Sequence, residues 1–284
     1  MNCRVLLSQL EPTLGNLTAN LEMHLAEIDH ARARDLDLVL FPELSLSGYF
    51  LRDQTAEVAL PLDHPVLETL RDRSKEISIG VGFVERGRDG RLYNSFGFFE
   101  DGVLLDVHRK VHLVTYGMFD DARDFAPGER FRALDSRHGR FGILICEDMW
   151  HVSSAYLHFL SNVDALLVPS ASPGRGVTDP EPGLRSVRIW DRMQDALALL
   201  FQTWIVYVNR VGSEDGIQFS GGSRVVDPFG REEGALALLE PGRLEARLSG
   251  DALRRARIST PLRRDEKAWI VQRELARILA QQGG

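Results

Sequence analysis

Apolar and polar positions along the chain recur in two periods, and the places where one period gives way to the other predict the elements. Residues 3–10 read as a strand. Residues 16–34 read as a helix, because Leu17, Leu21, Leu25 and Ile28 recur at helical spacing and Asn16 is placed to cap them. Residues 37–41 give a second strand, so the chain opens strand-helix-strand, an order that predicts parallel pairing. A loop over residues 43–49 is followed by a helix with Val66, Leu67 and Leu70 on one face, and residues 77–85 return as a strand. Residues 93–100 and 103–108 flank Asp101-Gly102, a dipeptide whose ease with positive φ suits a tight hairpin turn. Antiparallel pairing therefore enters, and the sheet is expected to be mixed.

The pattern lapses from 111 to 130 into a long loop of polar and aromatic residues, and loops of that length usually have a task or are disordered. Residues 131–134 and 141–145 predict a second strand pair, 152–160 a helix and 165–168 a strand. Residues 169–183 contain Pro173, Gly174, Gly176, Pro180 and Pro182 and cannot be regular throughout. The next helix sets Val187, Trp190, Met193, Leu197 and Leu200 on one side, a stripe read as core packing. Strands are expected at 204–211, 223–227, 235–239 and 244–248, with Asp227-Pro228-Phe229-Gly230 as a turn between two of them. From Asp251 onward Arg, Glu and Leu mix at helical spacing, which fits a solvated or subunit-contacting helix. No internal repeat, low-complexity linker or composition shift divides the chain, so one α/β domain over 1–284 is expected.

Composition narrows the partners. At 284 residues the chain can bury a large core without a disulfide or metal staple. Its net charge of -7, with no clustered Lys/Arg face, argues against nucleic acid. Cys3 and Cys146 are the only cysteines and have no CxxC spacing, so neither a disulfide framework nor a zinc site is expected, and a cytoplasmic setting fits. No apolar run reaches the ~20 residues that span a bilayer, and no export signal is apparent; the protein is expected to be soluble, away from membranes. His, Asp and Glu lack metal-ligand spacing, so no metal is predicted, and no cofactor is expected. Gly221-Gly222 lacks the lysine of a phosphate loop and reads as a turn.

The candidate chemistry lies where three apolar runs end. Residues 141–145 deliver Cys146, residues 37–42 end at Glu43, and residues 103–109 end at Lys110. Each residue taken alone has a bland explanation as a buried thiol, a loop acid or a surface lysine. Together they fit one crevice, because ligand sites in α/β sheets collect beyond the carboxyl ends of strands. A thiol with pKa ~8.5 is mostly protonated at neutral pH and needs a base, which Glu43 can supply. The backbone N–H of Glu147 and the charge of Lys110 would then face the oxyanion formed by attack on an acyl carbon. The reaction class is amide hydrolysis through a covalent acyl-enzyme. A cysteine-histidine hydrolase is the rival, with His108, His112, His138 or His151 as base, although none sits in a motif that recommends it.

The strings FPELSLSGY, HRKVHL and LICEDMW together resemble the nitrilase, or carbon-nitrogen hydrolase, superfamily over nearly the whole chain. The resemblance implies a four-layer α-β-β-α sandwich with two mixed sheets, and places the catalytic Glu, Lys and Cys on Glu43, Lys110 and Cys146. CEDMW, TYGMFDD, VPSASP and YVNRVGSEDGIQFSGGSRVVDPFG look most like the glutaminase domain of glutamine-dependent NAD synthetases. That likeness implies substrate contacts from Tyr116 and Ser172 and a pocket wall from Tyr49. Many superfamily members carry a second glutamate in the loop after the lysine; the matching position here is Asp121, one methylene shorter. The stretch after Ser172 departs from the glutaminase pattern, and Arg175 there is a candidate grip for a substrate carboxylate. With no glycine-rich pyrophosphate loop, the chain is not expected to make NAD alone. The resemblance implies a small linear amide as substrate, with a glutaminase subunit feeding a separate synthetase, a nitrilase and an idle scaffold as alternatives. It also implies a homodimer or larger homo-oligomer.

Overall fold

In a computed structural model describing residues 1–176 and 182–282, consecutive residues of one strand enter different apolar layers. The chain runs β1 (Asn2–Gln9), α1 (Leu17–Ala33), β2 (Leu38–Leu40), α2 (Pro65–Arg73), β3 (Ser78–Arg86), β4 (Leu92–Glu100) and β5 (Val103–Arg109). It continues through α3 (Asp121–Asp124), β6 (Ala133–Ser136), β7 (Gly139–Ile143), α4 (Val152–Leu160), β8 (Ala165–Ser170), α5 (Arg185–Phe201) and β9 (Trp204–Asn209). Then come β10 (Val211–Glu214), β11 (Ile217–Ser220), β12 (Arg224–Val226), β13 (Glu232–Ala235), β14 (Gly242–Ser249), α6 (Gly250–Ser259), α7 (Leu262–Asp265) and α8 (Ala268–Gln282). Two six-stranded sheets result, ordered β14-β1-β2-β3-β4-β5 and β13-β12-β9-β8-β7-β6. Each holds a parallel core, β1-β2-β3 and β7-β8-β9, flanked by antiparallel strands.

Because side chains alternate across a strand, Val5, Leu7, Leu38 and Leu40 face Ile143, Leu167, Val206 and Val208 in a layer between the sheets. Leu6 and Val39 point the other way, onto α1 and α2. In the second sheet Leu166, Val168, Ile205 and Tyr207 point outward and pack with Trp190, Leu197 and Ala198 of α5. Three apolar layers between four layers of structure make the α-β-β-α sandwich.

Most expected elements are present, and the differences have local causes. The 204–211 strand divides at Arg210, after which Val211 bonds to the Leu10 carbonyl and opens the β10–β11 hairpin around Asp215-Gly216, both at positive φ. The strand expected at 235–239 lies earlier, at Glu232–Ala235, because the Asp227 carboxylate accepts the Phe229 and Arg231 N–H groups and fixes a turn that starts the strand at once. Beyond it the pairing thins to an isolated bridge between Leu238 and Gly221, and the Gln9 amide donates to the Ala237 and Glu240 carbonyls. The 111–130 loop contains the short α3. Of the 169–183 loop, residues 177–181, Pro180 among them, lie outside the described residues. In α5 Trp190 and Leu197 pack inward while Leu200 is exposed, and α8 buries none of its side chains. Among the described residues no helix is long and apolar enough to cross a membrane.

Candidate active site

β2, β5, β7 and β8 all release the chain at their carboxyl ends on one side of the sandwich. Two residues past β2, the chain crosses β3 so closely that a Cβ on Gly82 would lie 2.4 Å from the Leu44 nitrogen and 2.5 Å from the Pro42 carbonyl oxygen. Glycine there allows the crossing, and Glu43 is carried inward to full burial. α1 grips the same loop from outside. Asn20 donates to the Leu46 carbonyl at 2.9 Å, and the His24 ring lies 2.9 Å from Ser45 Oγ.

Four groups hold the Glu43–Lys110 pair in place. Glu43 Oε1 accepts from Lys110 Nζ at 2.8 Å and from Asn94 Nδ2 at 2.7 Å, while Oε2 accepts the Ala171 N–H at 2.8 Å. Lys110 Nζ also donates to Asp121 Oδ2 at 2.8 Å, so the shorter side chain does reach the lysine. Asp121 Oδ1 in turn accepts the Tyr49 hydroxyl at 2.6 Å. Burial opposes a charge on Lys110, yet the carboxylates of Asp121 and Glu43 outweigh it and hold the ammonium well above its ordinary pKa. Lys110 is a fixed cation.

Cys146 begins a 3-10 turn, Cys146–Trp150, and takes φ +47°. That is the left-handed region, uncommon for a residue with a Cβ, and it marks a sharp turn out of the strand. The carboxylate of Asp148, fully buried, fixes the turn. It accepts the N–H groups of Val111 (3.1 Å), His112 (2.9 Å) and Ile145 (3.1 Å) and meets the rings of His108 (3.0 Å) and His112 (3.2 Å). The Cys146 turn is thereby tied to the chain leaving Lys110. Burial and the charge of Glu43 push the Cys146 thiol well up, against the opposing pull of Lys110 and the Ala171 N–H. At rest the sulfur carries its proton.

The sulfur opens on a pocket of about 400 Å³ lined also by Tyr49, Tyr116, Glu147, Ser172 and Trp190. Tyr116 stands at the rim and donates to the Glu147 carboxylate at 3.0 Å; burial and that carboxylate push the phenol up to about 12. Ser172 Oγ accepts the Trp190 indole N–H at 2.7 Å, so Trp190 is both core and pocket wall. Asp121 supports Lys110 and Tyr49 from beneath and does not line the pocket. His108 and His112 are engaged by Asp148, His151 stacks on His112 at 3.6 Å, and His138 lies beside Ser78 and Glu100. Among the described residues none of the four hydrogen-bonds to Cys146. The sequence did not point to Asn94, Asp148 or the Ala171 N–H. A polar residue set among the aromatic residues of a strand, as Asn94 is in β4, was the available signal for the first.

One group of possible metal ligands occurs among the described residues, Cys3, Asp37 and His138, with donor atoms within 4.8 Å of one another. It lies at the amino ends of the strands, away from the pocket. Asp37 already accepts the Arg4 N–H and His138 Nε2 the Arg137 Nε–H.

The sandwich is that of the nitrilase superfamily. Nit3 of Saccharomyces cerevisiae, a member of branch 10 of that superfamily, is similar at a TM-score of 0.78 and 27% identity, over 92% of this chain and 95% of that one. The chain belongs to the carbon-nitrogen hydrolase family, whose model matches residues 4–249. An (R)-stereoselective amidase of a Pseudomonas species is 34% identical over 275 residues, 94% of this chain and 92% of that protein. The glutamine-dependent NAD(+) synthetase of Acinetobacter baylyi is 30% identical over 227 residues, 80% of this chain and 40% of that protein. The chain spans about two fifths of the length of the synthetases it matches first.

Proposed function

We propose that the protein is an amidase that hydrolyses a small linear amide through a thioester on Cys146 and releases ammonia. Glu43 takes the thiol proton as sulfur attacks the amide carbon. Lys110 and the Glu147 N–H face the oxyanion. As the C–N bond breaks, Glu43 returns the proton to the leaving nitrogen. Water then gives a proton to Glu43 and its oxygen to the acyl carbon, and Glu43 passes that proton to the departing sulfur as the thioester parts into carboxylic acid and thiol. The observation that supports the proposal is that Cys146, which lines the pocket and is held at φ +47°, lies close enough to the buried Glu43–Lys110 pair for both charges to act on its thiol.

Similarity to the synthetases supports a second reading, a glutaminase that supplies ammonia to a separate partner. A screen of glutamine, asparagine, ω-amides, carbamoyl compounds and nitriles, scored by ammonia release, separates the two. Good turnover of unrelated amides by the isolated chain favours the amidase; glutamine preference that rises with a partner favours the supply role. In both, Cys146→Ala is expected to abolish ammonia release, and intact-mass spectrometry should find an acyl adduct on the wild-type chain. Undiminished turnover by the variant would remove the cysteine from the mechanism.

A further inference from the structure

Arg175 lines the pocket with Cys146, and both are close enough to Tyr116 to act on its phenol electrostatically. Its guanidinium lies 5.3 Å from the centre of the Phe119 ring. The backbone of Gly117 makes room for it, since a Cβ there would come within 3.1 Å of Nη1. Nε and Nη2 of Arg175 are shielded from solvent and have no hydrogen-bond partner among the described residues. Those two nitrogens form one edge of the guanidinium, and elsewhere in this molecule the same edge holds carboxylates side-on. Arg34 meets Glu245 through Nε at 3.0 Å and Nη2 at 3.3 Å, and Arg243 meets Glu27 through both at 2.7 Å. Arg109 presents the same edge to Glu85. Nearly all shielded donors in folded proteins are paired, so two orphaned donors on a pocket arginine call for a partner. Among the described residues that line the pocket the acid is Glu147, and it is engaged by Tyr116.

We infer that the empty Nε/Nη2 edge of Arg175 is a receptor for a carboxylate on the substrate, so that the pocket selects ω-amides ending in a carboxylate over neutral amides. This rests on the amidase reading and names its substrate class. A swing of the long side chain off Phe119 presents the edge to the pocket, where a carboxylate supplies both missing acceptors in the bidentate geometry arginine favours.

The test uses binding as well as turnover. The full chain carrying Cys146→Ala is titrated calorimetrically with glutaramate, a linear five-carbon ω-amide ending in a carboxylate, and with valeramide, equally long without one. The expected result is binding of glutaramate about 10- to 100-fold tighter, the range that charged hydrogen bonds support. Adding Arg175→Gln should bring the ratio to about 1, and Arg175→Lys, which keeps the charge and loses the planar edge, should retain part of it. If Arg175→Gln does not fold, Arg175→Lys decides alone. Equal binding of the two amides, or a preference that survives loss of Arg175, overturns the inference. Ammonia release by the wild-type chain is read separately. A carboxylate preference in binding with no ammonia from either compound removes the amidase reading and leaves the anion pocket standing.

Discussion

Cys146 occupies a backbone conformation that costs a residue with a Cβ roughly 1 kcal/mol or more, and such strain persists where the surroundings enforce it. Asp148 does the enforcing here, with hydrogen bonds to chain segments on both sides of the site. Lys110 is held by two carboxylates at the same distance of 2.8 Å, and their roles separate in a simple variant. Asp121→Asn keeps the shape of the side chain and removes its charge. Since that charge raises the Lys110 pKa, its loss lowers it, and the ammonium is given up at a lower pH. The alkaline limb of the kcat/KM profile should therefore move to lower pH. A profile that stays in place would mean that Lys110 does not have to be charged for turnover.

α1 shows what a hydropathy pattern reveals and what it hides. Its Asn16 cap and its extent were legible, and Leu17, Leu21, Leu25 and Ile28 do pack toward the sheet. The most deeply buried positions, however, include Asn20, His24 and Glu27, a polar stripe that reads as solvated until its partners are known. Those partners belong to segments far along the chain: Leu46, Ser45, Ser8 and Arg243. The catalytic candidates were legible for the opposite reason, because a strand ending in a chargeable residue is a local signal. Asn94 and Ala171 were not, since one acts from inside a strand and the other through its backbone. The Asp215-Gly216 hairpin was missed although it carries the same dipeptide as Asp101-Gly102. His24 gives α1 a pH signature. Its Nδ1 faces the Asn20 carbonyl and so carries the proton, which leaves Nε2 as acceptor toward Ser45. Burial lowers its pKa from 6.5 to about 4. The unfolded chain therefore binds a proton at higher pH than the folded one; the stabilisation is complete above about pH 6.5 and falls away as pH drops toward 4, by roughly 3 kcal/mol. Chemical denaturation of His24→Gln across that window should show one proton fewer taken up on unfolding, and unchanged proton uptake would show that His24 is already charged when folded.

The site is shared between the two sheets: Glu43, Asn94 and Lys110 come from strands or strand ends of the first, Cys146 and Ala171 from those of the second. Their spacing therefore depends on the apolar layer between the sheets more than on the layers under the helices. β4 offers a matched test, since Phe98 and Phe99 are adjacent, both fully buried, and face opposite layers. Phe98 lies 5.8 Å, ring centre to ring centre, from Phe141 of the other sheet, whereas Phe99 packs toward α1 and α2. Replacing either by alanine should cost about 3–5 kcal/mol of stability, because each leaves a cavity of the same parent size. The effect on catalysis should differ. Phe98→Ala lets the sheets shift against each other, and a displacement of about 1 Å between base and nucleophile can cost on the order of 100-fold in rate. Phe99→Ala leaves the inter-sheet distance alone. Measured where circular dichroism shows both variants folded, kcat should fall by about tenfold or more for Phe98→Ala and stay near wild type for Phe99→Ala. Equal kcat for the two would mean that the strand-end loops hold the site without help from the sheet spacing.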